Sequence, residues 1–210
     1  MNAEQHSVLP LGLRERRRRE TLSEITAAAL DLFESRGVAA TTVDDIAHAV
    51  GISARTFFRY FQTKEHAAFH EEDTLERMLE IVAAHESGAP IAHTLERAWL
   101  ELLGLVDSRP QEHEHTRRVR HLIAIEPALL AVALSRDAER IERITAAAIA
   151  VCADDPLVVR ALVSVMDAMV RVVFDEWASR IETGERAKVR DVYAEVRRGL
   201  EPHYAMLGRP

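Results

Sequence analysis

The stretch TTVDDIAHAVGISARTFFRYF, Thr41–Phe61, decides how this chain is read. Thr42 followed three residues later by Asp45 is a carboxylate form of the capping box, so a helix starts there. Val43, Ile46, Ala47 and Val50 then fall on one helical face. Gly51 stops that helix, Ile52 is the apolar residue of the turn, and Ser53 is placed to cap a second helix over about Ala54–Tyr60. Two short helices joined through a turn of three or four residues containing Gly form the helix-turn-helix pattern. Its second helix enters the major groove of DNA while the first crosses the backbone. That explains why aromatic and basic residues alternate here. Phe57 and Phe61 lie four apart and can bury, which leaves Arg55, Thr56, Arg59 and Tyr60 pointing towards a groove or a phosphate. Arginine reads guanine in a bidentate manner, worth about 1–3 kcal/mol of discrimination. Tyr60 and Lys64 suit phosphate contacts, which position without specifying sequence. Lys64 also opens the next predicted helix, whose N-terminal amides favour an anion.

Two helices this short need a third to pack on. From about Leu13, Leu22, Ile25, Ala29, Leu32 and Phe33 recur at spacings of three and four, and Arg36-Gly37 supplies a basic last turn and a C-cap. Leu30 and Phe33 offer the packing face. The run RERRRRE, with five arginines between Arg14 and Arg19, extends this helix backwards. Residues 1–12, with Pro10 and Gly12 and no periodicity, read as a disordered arm.

Beyond Lys64 the pattern is helical throughout. Long runs cover about Lys64–Glu86, Ile91–Val106, Glu112 to before Pro127, Pro127–Cys152, Leu157–Ile181 and Arg186–Tyr204, broken at SGAP, DSRP, ADDP and ETGE. No strand alternation and no internal repeat occurs. The expectation is an all-α protein of about nine helices: an arm at 1–12, a helix-turn-helix domain at 13–63 and a helical body at 64–206.

Composition narrows the function classes. No apolar run approaches the roughly 18 residues of a membrane span, and no signal-peptide pattern is evident. The lone Cys152 forbids a disulfide within the chain and suits a reducing, cytoplasmic setting; in its Ala-rich run it reads as a small core residue. The net charge of −7 is unevenly spread: nine basic residues balance nine acidic ones over residues 1–65, so the excess lies in the body. His66 and His70 are four apart, and His113 and His115 two apart, but no third ligand is fixed by spacing, so no metal is expected. No His-Glu-x-x-His, Gly-x-Ser-x-Gly or phosphate-binding glycine loop is present, so neither catalysis nor a cofactor is expected.

Together with the upstream ALDLFESRGVAATT, the segment TTVDDIAHAVGISARTFFRYFQTKEH resembles the DNA-binding region of the TetR family of bacterial transcriptional regulators. Thr42, Val43, Ile46, Ala47, Gly51, Ile52, Ser53, Thr56, Phe57, Tyr60, Phe61, Lys64 and Glu65 stand in register with that family's pattern. The resemblance implies DNA contacts from Thr42, Ser53, Arg55, Thr56, Phe58, Arg59, Tyr60 and Lys64, with Arg17 and Arg18 reaching the phosphate backbone. Phe58 departs from it: Tyr is common there, and Phe58 has no hydroxyl to offer a phosphate.

The resemblance also implies a homodimer built from the last two helices, reading a palindromic operator on double-stranded DNA, and a small-molecule effector bound in the body. Leu157–Ile181 is apolar on more than one face and Val189, Val192, Tyr193, Val196 and Leu200 form a stripe. Val165, Val172, Trp177, Val189, Tyr193 and Val196 are the expected interface residues, the alternative being internal core. Trp99, Leu103, His121, Ile125, Leu130, Met166, Met169 and Phe174 could line an apolar pocket. The body is loosely similar to a subgroup thought to bind acyl-CoA-like ligands, whose phosphates Arg117 could meet. The other reading is a DNA-binding regulator without a small-molecule switch.

Overall fold

The computed structural model describes residues 12–69 and 72–207 of the 210-residue chain. These form nine α-helices and no strand, divided into two compact units, residues 1–70 and 71–210. Apart from Gly12, the arm expected at 1–12 lies outside the described residues, as does His70.

The first unit holds α1 (Leu13–Arg36), α2 (Val43–Val50), α3 (Ala54–Phe57) and a 3-10 turn at Glu65–Ala68. Leu22, Ile25, Ala29, Leu30 and Phe33 of α1 are buried with Ile46 and Ala47 of α2, as the three–four spacing requires. Gly37 closes α1 at φ 80°, its N–H donating to the Phe33 carbonyl, a left-handed backbone that glycine alone adopts without strain. Gly51 ends α2 with a positive φ as well, 74°, there in the left-handed helical conformation with ψ 30°. The Lys64 ammonium donates to the carbonyls of Val38 and Thr41, both at 2.7 Å, and so ties the segment after α3 to the α1–α2 loop. The single helix expected over Lys64–Glu86 is instead the 3-10 turn and a separate α4, because Phe69 adopts an extended backbone (φ −111°, ψ 105°) after the turn.

The second unit is α4 (Glu72–Ala83), α5 (Ile91–Ser108), α6 (Pro110–Ile125), α7 (Pro127–Val151), α8 (Pro156–Glu182) and α9 (Val189–Leu207). Pro110, Pro127 and Pro156 each occupy the first turn of a helix, where the missing N–H costs nothing. α5 packs on α4, α6, α8 and α9, and α8 on α5, α6, α7 and α9, so these two helices carry the core. Trp99 and Leu103 of α5 meet Val163, Val170, Phe174 and Trp177 of α8 there. Among the described residues no helix is long and apolar enough to cross a membrane.

α9 starts at Val189 rather than near Arg186, and the reason lies far away in sequence. The Asp107 carboxylate, one residue before the end of α5, accepts the amide N–H groups of Val189 (2.8 Å) and Arg190 (3.1 Å). It caps the helix from another element and sets a negative charge against the helix dipole. Just before it, the Ala187 carbonyl is held by the indole N–H of Trp177 at 3.0 Å. Arg190 then donates to the Leu100 carbonyl through Nε and Nη2. Replacing Asp107 by Ala should therefore lower the unfolding free energy by about 1–2 kcal/mol, seen in urea titration as a lower midpoint at unchanged slope. Asp107→Asn keeps one acceptor and should lose less.

Candidate nucleic-acid interface

The helix-turn-helix is built from local caps. The Asp45 carboxylate accepts the Thr42 N–H (2.9 Å) and hydroxyl (2.6 Å), while the Thr42 hydroxyl accepts the Asp45 N–H at 3.1 Å. These bonds, the hydroxyl's first, hold the Asp45 carboxyl below its ordinary value. Ser53 Oγ accepts the Thr56 N–H at 3.1 Å and lies 3.0 Å from Thr56 Oγ1. The hydroxyls of Thr42 and Ser53 are thus first of all caps of α2 and α3, and the Thr56 hydroxyl lies against the Ser53 cap.

α3 is shorter than the sequence suggests, four residues rather than Ala54–Tyr60. After Phe57 the ladder tightens: the amides of Arg59 and Tyr60 reach back three residues, to Thr56 and Phe57, and only Phe61 again reaches back four. The turn still presents two faces. Phe57 and Phe61 are 0 % and 8 % exposed, with ring centroids 5.7 Å apart. Phe58 is 57 % exposed, edge-on to Phe57, and Arg55 and Arg59 face solvent.

Arg59 does not extend freely. Its Nη2 donates to Tyr60 Oη at 3.3 Å and its guanidinium lies 5.1 Å from the Tyr60 ring centre. Arg59 and Tyr60 form one wall of a cleft of about 330 Å³ whose other wall is Arg17, Arg18 and Thr21 of α1. The structure thus gathers Arg17, Arg18, Arg59 and Tyr60, and leaves Arg55 and Phe58 outside that cleft. Thr21 is new; its spacing of four from Arg17 was the signal for it, and its hydroxyl donates to the Arg17 carbonyl at 3.0 Å. Lys64, expected on phosphate, has two of its three ammonium protons on the Val38 and Thr41 carbonyls.

In the second unit, several expectations change. Trp177, Val189 and Tyr193, expected at a dimer interface, are 0 %, 0 % and 3 % exposed and belong to their own core. Trp177 is fixed by its Ala187 bond and Tyr193 by Glu96 at 3.1 Å. Val196 is half-buried, packed on that core, whereas Val165 and Val172 are exposed. The expected pocket residues divide between the core and the surface. Trp99, Leu103 and Phe174 are buried core, and Met166 and Met169 pack against it. Ile125 and Leu130 are exposed instead, because Ile125 ends α6 and Leu129 takes the buried position at the start of α7. His121 pairs with Glu182 at 2.8 Å and Arg117 with Glu114 at 2.6 Å.

The polar centre of this unit was not foreseen. Arg140 of α7 bonds the buried Asp167 of α8 through Nε (3.0 Å) and Nη2 (2.7 Å), also reaches Asp137, and stacks 5.5 Å from the Trp99 ring centre. The Trp99 indole N–H and the Thr145 hydroxyl are buried without a partner. Burial pushes the Asp167 carboxyl above its ordinary 3.8, against the opposing pull of Arg140. The native state therefore holds this proton more tightly than the unfolded chain, so this group's contribution to stability is fully present below 3.8 and is lost as pH rises through its raised value. Arg140→Met should cost about 3–5 kcal/mol at neutral pH by stranding the carboxylate. Part of that loss should return on acidification, and Asp167→Asn should abolish the pH dependence; urea titrations at several pH values check both.

Comparison with known proteins bears on the family and the fold. Residues 25–66 match the family described as bacterial regulatory proteins, tetR family. The chain is 36 % identical over 181 residues to the HTH-type transcriptional regulator TcmR of Streptomyces glaucescens, covering 82 % of this chain and 79 % of that protein. It is 47 % identical over 49 residues to MftR of Mycobacterium tuberculosis, 23 % of this chain and 25 % of the other. Its fold is similar to that of NalD from Pseudomonas aeruginosa, the secondary repressor of the MexAB-OprM multidrug efflux pump (TM-score 0.57, 18 % identity, 89 % and 96 % of the two chains).

Proposed function

The chain belongs to the tetR family of bacterial regulatory proteins and is a DNA-binding transcriptional regulator; we propose that it acts in the cytoplasm as a homodimeric repressor that reads a palindromic operator and is released by a small apolar effector. On this reading residues 13–63 contact DNA, with Arg55 and Thr56 towards base edges and Thr42, Ser53, Phe58 and Tyr60 towards the backbone. Residues 64–206 hold the dimer contact and the effector.

One observation carries the dimer. On α8, Val158, Ala161, Val165, Ala168 and Val172 are all exposed and follow one another at spacings of three, four, three and four. That is the a/d register of a coiled-coil seam, and the two alanines let a second helix approach closely. Val158, Val165 and Val172 remain 52 %, 47 % and 55 % exposed, while the opposite face of α8 supplies Val163, Val170 and Phe174 to the core. A helix apolar on both sides is matched by a second copy of itself. A single recognition segment also reads too few bases, and a two-fold axis supplies a second half-site.

What supports an effector is that this unit buries two polar groups without a partner, the Trp99 N–H, beside Arg140, and the Thr145 hydroxyl. Buried donors without partners are costly, and an apolar ligand carrying an acceptor oxygen would satisfy them. An acyl-CoA is less well supported, since Arg117 and Arg120 already hold Glu114 and Asp175.

Val165→Asp tests the dimer. The expected result is a monomer by sedimentation velocity, with unchanged helix content and affinity for a palindromic site lowered about 100-fold or more through lost bivalency. A variant that stays dimeric and binds like the parent would exclude this seam.

A further inference from the structure

We propose that the cleft between α1 and the turn after α3 is a seat for one backbone phosphate of duplex DNA, with Arg17 and Arg59 as its clamp, and that Arg59 is thereby withdrawn from base reading. The proposal rests on the DNA-reading role above and divides it further. Among the described residues, five line the cleft: Arg17, Arg18, Thr21, Arg59 and Tyr60. Of these, three carry guanidinium groups, two carry hydroxyls, and none is acidic. The nearby Glu20 lies instead on Arg16, at 3.0 Å. Such a lining suits a tetrahedral anion with several acceptor oxygens.

The Arg59–Tyr60 pair explains why this arginine serves the backbone. Reading guanine needs the guanidinium extended, with two N–H groups in one plane towards O6 and N7. Here Nη2 is on the Tyr60 oxygen and the planar group lies over the ring, so the side chain is folded back along its own turn. Because Arg59 donates to Oη, the phenol proton of Tyr60 remains available to an acceptor from outside. A phosphate oxygen in the cleft would take that proton and N–H groups from both walls. One anion would then bridge α1 to the recognition turn and fix the angle at which Arg55, which lies outside the cleft, meets the groove. The fold already holds that turn by Phe57 and Lys64, so the phosphate fixes register on the duplex rather than the fold.

The experiment is a cycle on a duplex obtained by in vitro selection. Binding is measured for the parent, Arg59→Ala, Arg17→Ala and Arg55→Ala across salt concentrations, and then on duplexes carrying one neutral methylphosphonate at each backbone position in turn. Each substitution removes one contact from both copies of the dimer, so Arg59→Ala and Arg17→Ala should each flatten the dependence of log affinity on log salt by about two units and leave the selected sequence unchanged. One methylphosphonate position in each half-site should weaken the parent yet have no further effect in these two variants. Arg55→Ala should relax the preference at one base position. Tyr60→Phe, which keeps the ring, should weaken binding with the salt dependence unaltered and guards against a misfolded Arg59→Ala. If Arg59→Ala relaxes a base preference at unaltered salt dependence, the clamp is wrong and Arg59 reads a base. If no single methylphosphonate is masked, and inorganic phosphate competes equally with every duplex, the cleft is a general anion site and the duplex assignment falls. A selected motif without two-fold symmetry would count against the dimer and leave this cycle interpretable.

Discussion

A helix of four residues cannot hold itself in water, and the DNA-reading end of this protein depends on what holds α3. The holder is Phe57, fully buried, joined by Phe61 and closed behind by the Lys64 ammonium on the Val38 and Thr41 carbonyls. Emptying the Phe57 site would cost about 3–5 kcal/mol, a large part of what a unit this small has to spare. With that ring fixed, the period of the turn decides the rest. Arg55, Phe58 and Arg59 face outward because Phe57 and Phe61 face inward. Recognition chemistry here is the exposed remainder of a packing solution.

The second unit shows the same division on a larger scale. The inner face of α8 is committed to Trp99 and Leu103 of α5, and its outer face is a Val-Ala-Val-Ala-Val seam left exposed among the described residues. α9 is set against α5 by polar links, with Asp107 capping it and Glu96 meeting Tyr193 and Arg197. The charged pair Arg140–Asp167 adds little net stability for its burial, since desolvation offsets most of the attraction. It does make the junction of α7 and α8 sensitive to anything that competes for Arg140 or donates to Asp167.

Most of the first unit was legible because its determinants are local. Thr42 with Asp45, Gly51 and Ser53 each act within four residues, and the structure realises each as a cap or a stop. The extent of α3 was not legible, since the tightening after Phe57 follows from how the aromatic pair packs. α9 begins at Val189 through a carboxylate 82 residues earlier, and no local pattern encodes that. The apolar stripes of α8 and α9 were visible, but a stripe does not say which side is already taken. Trp177 and Tyr193 looked like interface and are core, while Ala161 and Ala168 at heptad spacing marked the open seam. Large residues drew attention that belonged to small ones. The Arg140–Asp167 pair lay hidden because its partners sit on different helices, 27 residues apart.

Two copies of this chain joined through α8 would present two recognition turns to DNA about a two-fold axis, and selection of bound duplexes from a random pool tests that symmetry. The expected result is an enriched palindrome whose half-sites are separated by about one helical turn or a multiple of it. Enrichment of a single undivided half-site, or of no motif at all with only weak, salt-sensitive binding, would contradict it.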